Sequence, residues 1–373
     1  MDIDQISSKQ ASTMIALFIA GSSVIIGVDN TAQQDSWISF IIAVIIFIPI
    51  ALVYARLLRL FPGSDIYDIA TKLLGNVWGK IIIISLSWYA FHLGALVMRN
   101  ISGFIGTVAL TETPQLPLLV LMGLLSVYAI KCGMESFGKC TVIFIGFYIV
   151  VLGLILIFSI EDFNYTNLMP VMFQDVNKIM SGAYTNFTFP LGETVLFTTV
   201  LGSLASKASP TKVYIKGTLI GGTIVLISLI KNILIIGYPL LAQYAFPHYD
   251  SAKFIVIGGD ATDAFARIEG SVAVVFFLTG FIKASVCLYA AAKGVAKTFH
   301  IDNYRKLVFP ISIAMITLAS TVYKSSSEMF DFISVYKYYA IPFQVILPLV
   351  LLVPAEIKIR KKPAPLKTQQ DNG

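Results

Sequence analysis

Charge is what this sequence has least of. Only 13% of its 373 residues are charged, about half the share of roughly 25% usual in soluble domains, while 57% are hydrophobic. A water-soluble globule of this length is excluded, because its surface could not be covered with polar groups. Cysteine is scarce too: Cys132, Cys140 and Cys287 are too few and too scattered for a disulfide frame or a metal site. The three histidines, His92, His248 and His300, lie in separate segments. HExxH, GxSxG, Walker A and glycine-rich dinucleotide turns are all missing. The expectation is a protein that is not an enzyme and carries neither a metal nor a cofactor.

What the chain does have is uncharged length. Crossing about 30 Å of hydrocarbon at 1.5 Å per residue takes about 20 apolar residues. Uncharged runs lie at 10–28, 36–55, 81–98, 113–130, 140–160, 307–323 and 338–355. Three more appear with one charge inside each: 179–206 around Glu193, 217–237 around Lys231 and 270–292 around Lys283. The predicted fold class is therefore an all-α membrane protein with ten transmembrane helices. With the N-terminus inside, nineteen lysines and arginines outside the spans fall on the cytoplasmic side and five (Lys178, Lys253, Arg267, Lys324, Lys337) on the other, so both termini are placed in the cytoplasm. The formal net charge of +6 lies along the lipid surface, where anionic head groups are; it implies membrane lipid as a partner and no nucleic acid. Asp2 and Asp4 precede the first run and no A-x-A site follows it, which reads as a retained anchor.

The predicted organisation is a short cytoplasmic N-terminus (1–9), a transmembrane domain (10–355) and a basic cytoplasmic tail (356–373). Within the domain, five spans (10–160) and five more (179–355) flank the polar segment 161–178. An odd number of crossings makes the second set enter from the opposite face, the topology of an inverted repeat. The first helix of each set carries helix breakers at matching depth: Gly21-Ser22-Ser23 begins eleven residues after Gln10, with Gly27 beyond, and Pro190-Leu191-Gly192-Glu193 begins eleven residues after Ile179. A break at the bilayer centre frees backbone groups that only protein or a ligand can satisfy. Paired breaks therefore point to a binding site. The long outer stretch 238–266 reads either as a lid or as a passive loop.

Four ionised side chains fall inside spans, each costing about 2.5–3.5 kcal/mol at a helix centre on insertion scales. Lys231 is near enough to its helix end to snorkel. Arg99 shares a helical face with Tyr89 and His92, suggesting a polar stripe turned into the bundle. Glu193 and Lys283 are deeper, with Thr279 one turn from the lysine. They read either as a mutual ion pair or as a carboxylate for a ligand ammonium beside a lysine standing in for a transported cation. Gly217-xxx-Gly221 fits close helix packing.

The opening IDQISSKQ before the first span, GSDIYDIATKLLG after the second, FPLGETVLF in the sixth and a basic tail resemble, in that order, the B subunit of GerA-type spore germinant receptors. That family belongs to the amino acid–polyamine–organocation transporter superfamily. The resemblance implies a LeuT-like 5+5 fold with broken helices one and six, in the spore inner membrane. It also implies a small nutrient ligand, often an amino acid, and A and C subunits as partners in triggering germination. It places the pocket at Gly21, Ser22, Ser23, Gly27, Phe189, Pro190, Gly192, Glu193 and Phe197, with His92, Arg99, Thr279 and Lys283 at its side. A nutrient receptor is the first reading, a proton-coupled amino acid permease the alternative, and a purely structural membrane subunit the third.

Overall fold

A computed structural model describes residues 5–26, 31–238, 240–253, 268–323 and 326–360. The described chain is helical throughout, its one β feature being an isolated bridge between Ile6 and Leu204. The helices are α1 (Ser8–Ile26), α2 (Ser36–Leu60), α3 (Ile66–Val108), α4 (Gln115–Lys131), α5 (Met134–Phe158), α6 (Val176–Asn186), α7 (Phe197–Val200), α8 (Pro210–Ile236), α9 (Pro247–Lys253), α10 (Ile268–Thr298), α11 (Arg305–Thr321), α12 (Ser326–Ile341) and α13 (Leu347–Arg360). Among the described residues, six helical segments are long and apolar enough to cross a membrane: 33–60, 66–108, 134–158, 210–236, 270–298 and 331–358.

Local chemistry sets the helix ends. Ser7 and Gln10 form a reciprocal capping box at the start of α1, the Gln10 side chain accepting from Ser7 N at 2.8 Å and Ser7 Oγ from Gln10 N at 3.3 Å. Asp65 caps α3 by accepting from Asp68 N at 2.8 Å. Pro210 opens α8, where its missing N–H costs nothing. Within α3 the chain turns at Gly75, whose φ of 73° favours glycine. Residues 66–74 thus form a short helix set apart from the long apolar rod that follows.

The core is built around α1. It packs on α8 and α10, and α3 lies along α10. The Gly217/Gly221 pair makes the first contact possible: a Cβ on Gly217 would stand 2.7 Å from the Ile15 side chain, and one on Gly221 2.8 Å from the Ala16 carbonyl oxygen. At one end of the bundle the chain ahead of α1 is held down by Ile6 N donating to Ser203 O and Ala205 N to Ile6 O, both at 3.0 Å. The same end carries the ion pairs Asp65–Lys293 at 2.8 Å, Arg56–Glu356 at 2.6 Å and Asp68–Lys297. At the opposite end Asp35, fully buried, accepts from the backbone of Met172 (2.8 Å) and Gln174 (2.9 Å) and fixes the segment between α5 and α6.

Candidate functional site

The helix that begins as α6 is interrupted before it resumes as α7. At Phe189 the backbone leaves helical values (φ −137°, ψ 112°), Pro190 follows, and Gly192–Leu196 is a tight 3₁₀ turn. Proline cannot continue the hydrogen-bond ladder, so carbonyls in this stretch need other donors. Gln344, in the stretch between α12 and α13, supplies one: its Nε2 donates to Thr188 O at 2.8 Å. Gly192 is what lets it in, since a Cβ there would lie 2.2 Å from Gln344 Oε1.

Glu193 stands in the turn that follows, fully buried. Its Oε2 pairs with the Lys283 ammonium of α10, itself fully buried. Its Oε1 accepts from Tyr336 OH at 2.6 Å. The direction of every further bond follows. Tyr336 has spent its one proton on the carboxylate, so at 2.9 Å it accepts from Tyr89 OH. Tyr89 in turn accepts from Gln344 Nε2 at 2.7 Å. The orientation of that amide is fixed by the Thr188 carbonyl, which can only accept. Four elements are thus joined by a chain of donors pointing at one carboxylate, the pattern expected around an ionised glutamate. Lys283 Nζ also lies 5.0 Å from the ring centroids of Phe18 on α1 and Phe189 at the interruption, so two aromatic faces complete the cage of the cation.

A cavity of about 30 Å³ opens beside the carboxylate, bounded by Val97 and Asn100 of α3, Phe189, Glu193, Tyr323 and Tyr336. It has room for one or two waters, so an amino acid would enter only if the walls part.

The structure brings together Gly21, Phe189, Glu193, Phe197, Thr279 and Lys283 where α1, the interruption and α10 meet. Phe197 meets Phe18 edge to face, with centroids 5.2 Å apart. Several expectations need correction. α1 does not break at Gly21-Ser22-Ser23: it stays helical to Ile26, because Gly21 is used for close approach, a Cβ there falling 2.9 Å from the Thr279 carbonyl oxygen of α10. Ser23 Oγ bonds the Ile19 carbonyl of its own helix at 2.5 Å. The Ser22 side chain and all of Gly27 lie outside the described residues. Thr279 does not serve Lys283; its hydroxyl donates to the carbonyls of Val275 and Phe276 at 2.9 and 3.1 Å. The predicted stripe on α3 divides three ways. Tyr89 joins the Glu193 network. His92 stacks on Trp88 and meets Phe332 and Tyr339 edge-on. Arg99 donates Nη2 to Tyr323 O at 3.1 Å. Nor does Lys231 snorkel: it is 1% exposed.

Sequence reasoning passed over Tyr336, Gln344 and Phe18. Gln344 had left a signal, as a polar residue within the uncharged run 338–355. Tyr336 and Phe18 had none, since aromatic residues are common in every span.

The comparisons with known proteins decide the family. The family model for spore germination proteins matches residues 5–329. The chain belongs to the spore germination protein family. Bacillus subtilis (strain 168) spore germination protein KB is 24% identical over 367 residues, covering 97% of each chain, and spore germination protein YndE of the same strain is 22% identical over 354 residues, 94% of this chain and 96% of that one. Among solved structures, MhsT in complex with L-phenylalanine aligns with a TM-score of 0.66 at 13% identity, over 95% of this chain and 90% of that one. Mhp1, a nucleobase-cation-symport-1 family transporter in a closed conformation with bromovinylhydantoin bound, aligns with a TM-score of 0.65 at 12% identity, over 94% of this chain and 78% of that one. At such identities the likeness is one of fold: this spore germination protein is an all-helical, multi-pass membrane bundle with a transporter-like architecture. The family resemblance read from the sequence blocks holds.

Proposed function

We propose that this chain is the nutrient-binding transmembrane subunit of a spore germinant receptor in the spore inner membrane. In this reading it crosses the membrane ten times in two inverted sets of five, with both termini cytoplasmic, and it acts with A and C subunits to trigger germination. The observation that carries the reading is the buried Glu193–Lys283 pair set against a backbone interruption and opening on a small cavity. In a bundle without catalytic motifs, such an arrangement is suited to recognising a small charged molecule. A nutrient ammonium competes with Lys283 for Glu193, and the tyrosine and glutamine chain registers the exchange on α3 and α12. The neighbouring fold that holds L-phenylalanine in MhsT supports an amino acid as the class of nutrient. Asn100 at the cavity's α3 side is a candidate for the ligand carboxylate, with Arg99 next to it in sequence held on the Tyr323 carbonyl. Bonds are neither made nor broken; the ligand shifts an equilibrium between two packings.

Thermal melting of the purified protein against single amino acids tests this. One of them is expected to raise the melting temperature saturably, as ligand at about 100 times its Kd adds roughly 2.7 kcal/mol, and Glu193→Gln to abolish the rise. If none stabilises the wild type, the amino acid reading falls. The transporter-like fold favours a second reading as a permease. Proteoliposomes containing this chain alone are expected not to accumulate labelled amino acid, and saturable accumulation would replace the receptor with the permease.

A further inference from the structure

A second buried cation lies away from the Glu193 site. Lys231, on α8 five residues before its end at Ile236, is 1% exposed, yet it pairs with no carboxylate among the described residues. Its sole described partner is neutral: Nζ donates to Ser251 Oγ of α9 at 2.6 Å. That hydroxyl lies 2.9 Å from both Asn232 Oδ1 and the His248 carbonyl oxygen and has one proton to give them. His248 is 2% exposed, and its Nδ1 has no hydrogen-bond partner. The cluster is held rigidly, because α9 is clamped by its aromatic neighbours: Phe246, just before it, meets Phe104 of α3 at 4.9 Å, and His248 meets Phe276 of α10 at 5.7 Å.

The donor count is what matters. An ammonium has three protons, and one is used. Two remain, and the tautomer of His248 with its proton on Nδ1 adds a third. The side-chain acceptor beside Ser251, Asn232 Oδ1, already faces that hydroxyl. A full positive charge in an apolar setting with unspent donors around it is costly unless a negative charge joins it. The geometry points to a binding site for a small monovalent inorganic anion, of the size of chloride, between Lys231 and His248 beneath α9. The anion would neutralise the lysine and hold α9 against the ends of α8 and α10. This site is independent of the nutrient reading, since it shares no residue with the Glu193 network.

The test is thermal melting of the full chain in chloride, nitrate, acetate and gluconate at constant ionic strength and pH. Chloride and nitrate are expected to raise the melting temperature saturably by about 2–4 °C, the shift that roughly 1 kcal/mol gives in a chain of a few hundred residues, and gluconate to leave it unchanged. Acetate matching chloride while gluconate does nothing would assign the site to carboxylates and overturn the inorganic assignment. Lys231→Met is expected to melt at one temperature in all four salts. Where that variant does not fold, Ser251→Ala and His248→Phe keep the lysine and are expected to raise the chloride concentration for half effect at least tenfold. A wild type indifferent to the anion, or a Lys231→Met variant with the wild-type chloride response, overturns the proposal. In the first case the lysine is held by the chain's own groups or is neutral.

Discussion

On Glu193 converge a buried lysine and a chain of donors running through Tyr336, Tyr89 and Gln344. Two charges of opposite sign, both fully buried, attract strongly, but each costs several kcal/mol to take out of water, so the pair adds little net stability while loss of one partner is severe. Glu193→Gln or Lys283→Met alone is expected to destabilise the purified protein by about 3–5 kcal/mol. The double variant is expected to recover most of that, as read from the three melting temperatures. A double variant that melts at or below the worse single would show that the two charges do not compensate each other. Nutrient response separates structure from recognition: if Glu193 also binds the ligand ammonium, the stable double variant stays unresponsive. Tyr336→Phe deletes one donor to an ionised carboxylate and is expected to cost about 1.5–3 kcal/mol, with Gln344→Leu smaller because its bonds are to neutral groups. The two charges were legible in the sequence because each interrupts an apolar run. Their mutual contact was one of two open readings, since no spacing rule links positions 193 and 283.

At the scale of elements, glycine carries the packing. α1 lies against α8 through Gly217 and Gly221 and against α10 through Gly21, and in each case the missing Cβ faces backbone or the base of a side chain, which cannot swing away. Gly221→Leu is therefore expected to force α1 and α8 apart, with a loss of about 1–3 kcal/mol from overpacking. Size-exclusion profile and melting temperature check it, and Gly146→Ala, which meets no atom within 4 Å, is the silent control. The small-residue motif on α8 was readable in advance because its spacing is that of one helical face. The breaker at Gly21 was misread for a physical reason. Glycine lowers helix stability, but it also permits close approach, and only the neighbouring helix decides which property is used. Proline is no surer a sign, since Pro49 and Pro310 lie inside α2 and α11, whereas next to Pro190 the backbone of Phe189 leaves helical values.

For the whole molecule, the two ends differ in how they are closed. One end is tied by the ion pairs Asp65–Lys293, Asp68–Lys297 and Arg56–Glu356; the other is covered by α9 and by the segment held on Asp35. In the proposed orientation the ion-paired end faces the cytoplasm. Single cysteines at positions 165 and 300, both strongly exposed, on a background lacking the native cysteines, are expected to react with an impermeant maleimide from the outer and cytoplasmic faces respectively. Labelling of position 300 from outside would invert the arrangement.

The all-helical membrane class and the positions of the charges that interrupt its apolar runs were determined by the sequence alone, because hydrocarbon tolerates only long uncharged helices and makes every charge within them conspicuous. The family, too, was legible in blocks such as FPLGETVLF. Which charges pair, which glycines let helices touch, and how Tyr336 reaches the Glu193 carboxylate 143 positions away and Gln344 the Thr188 carbonyl 156 positions away were decided by the tertiary structure. Those contacts join residues far apart in the chain, and their geometry depends on how whole helices cross.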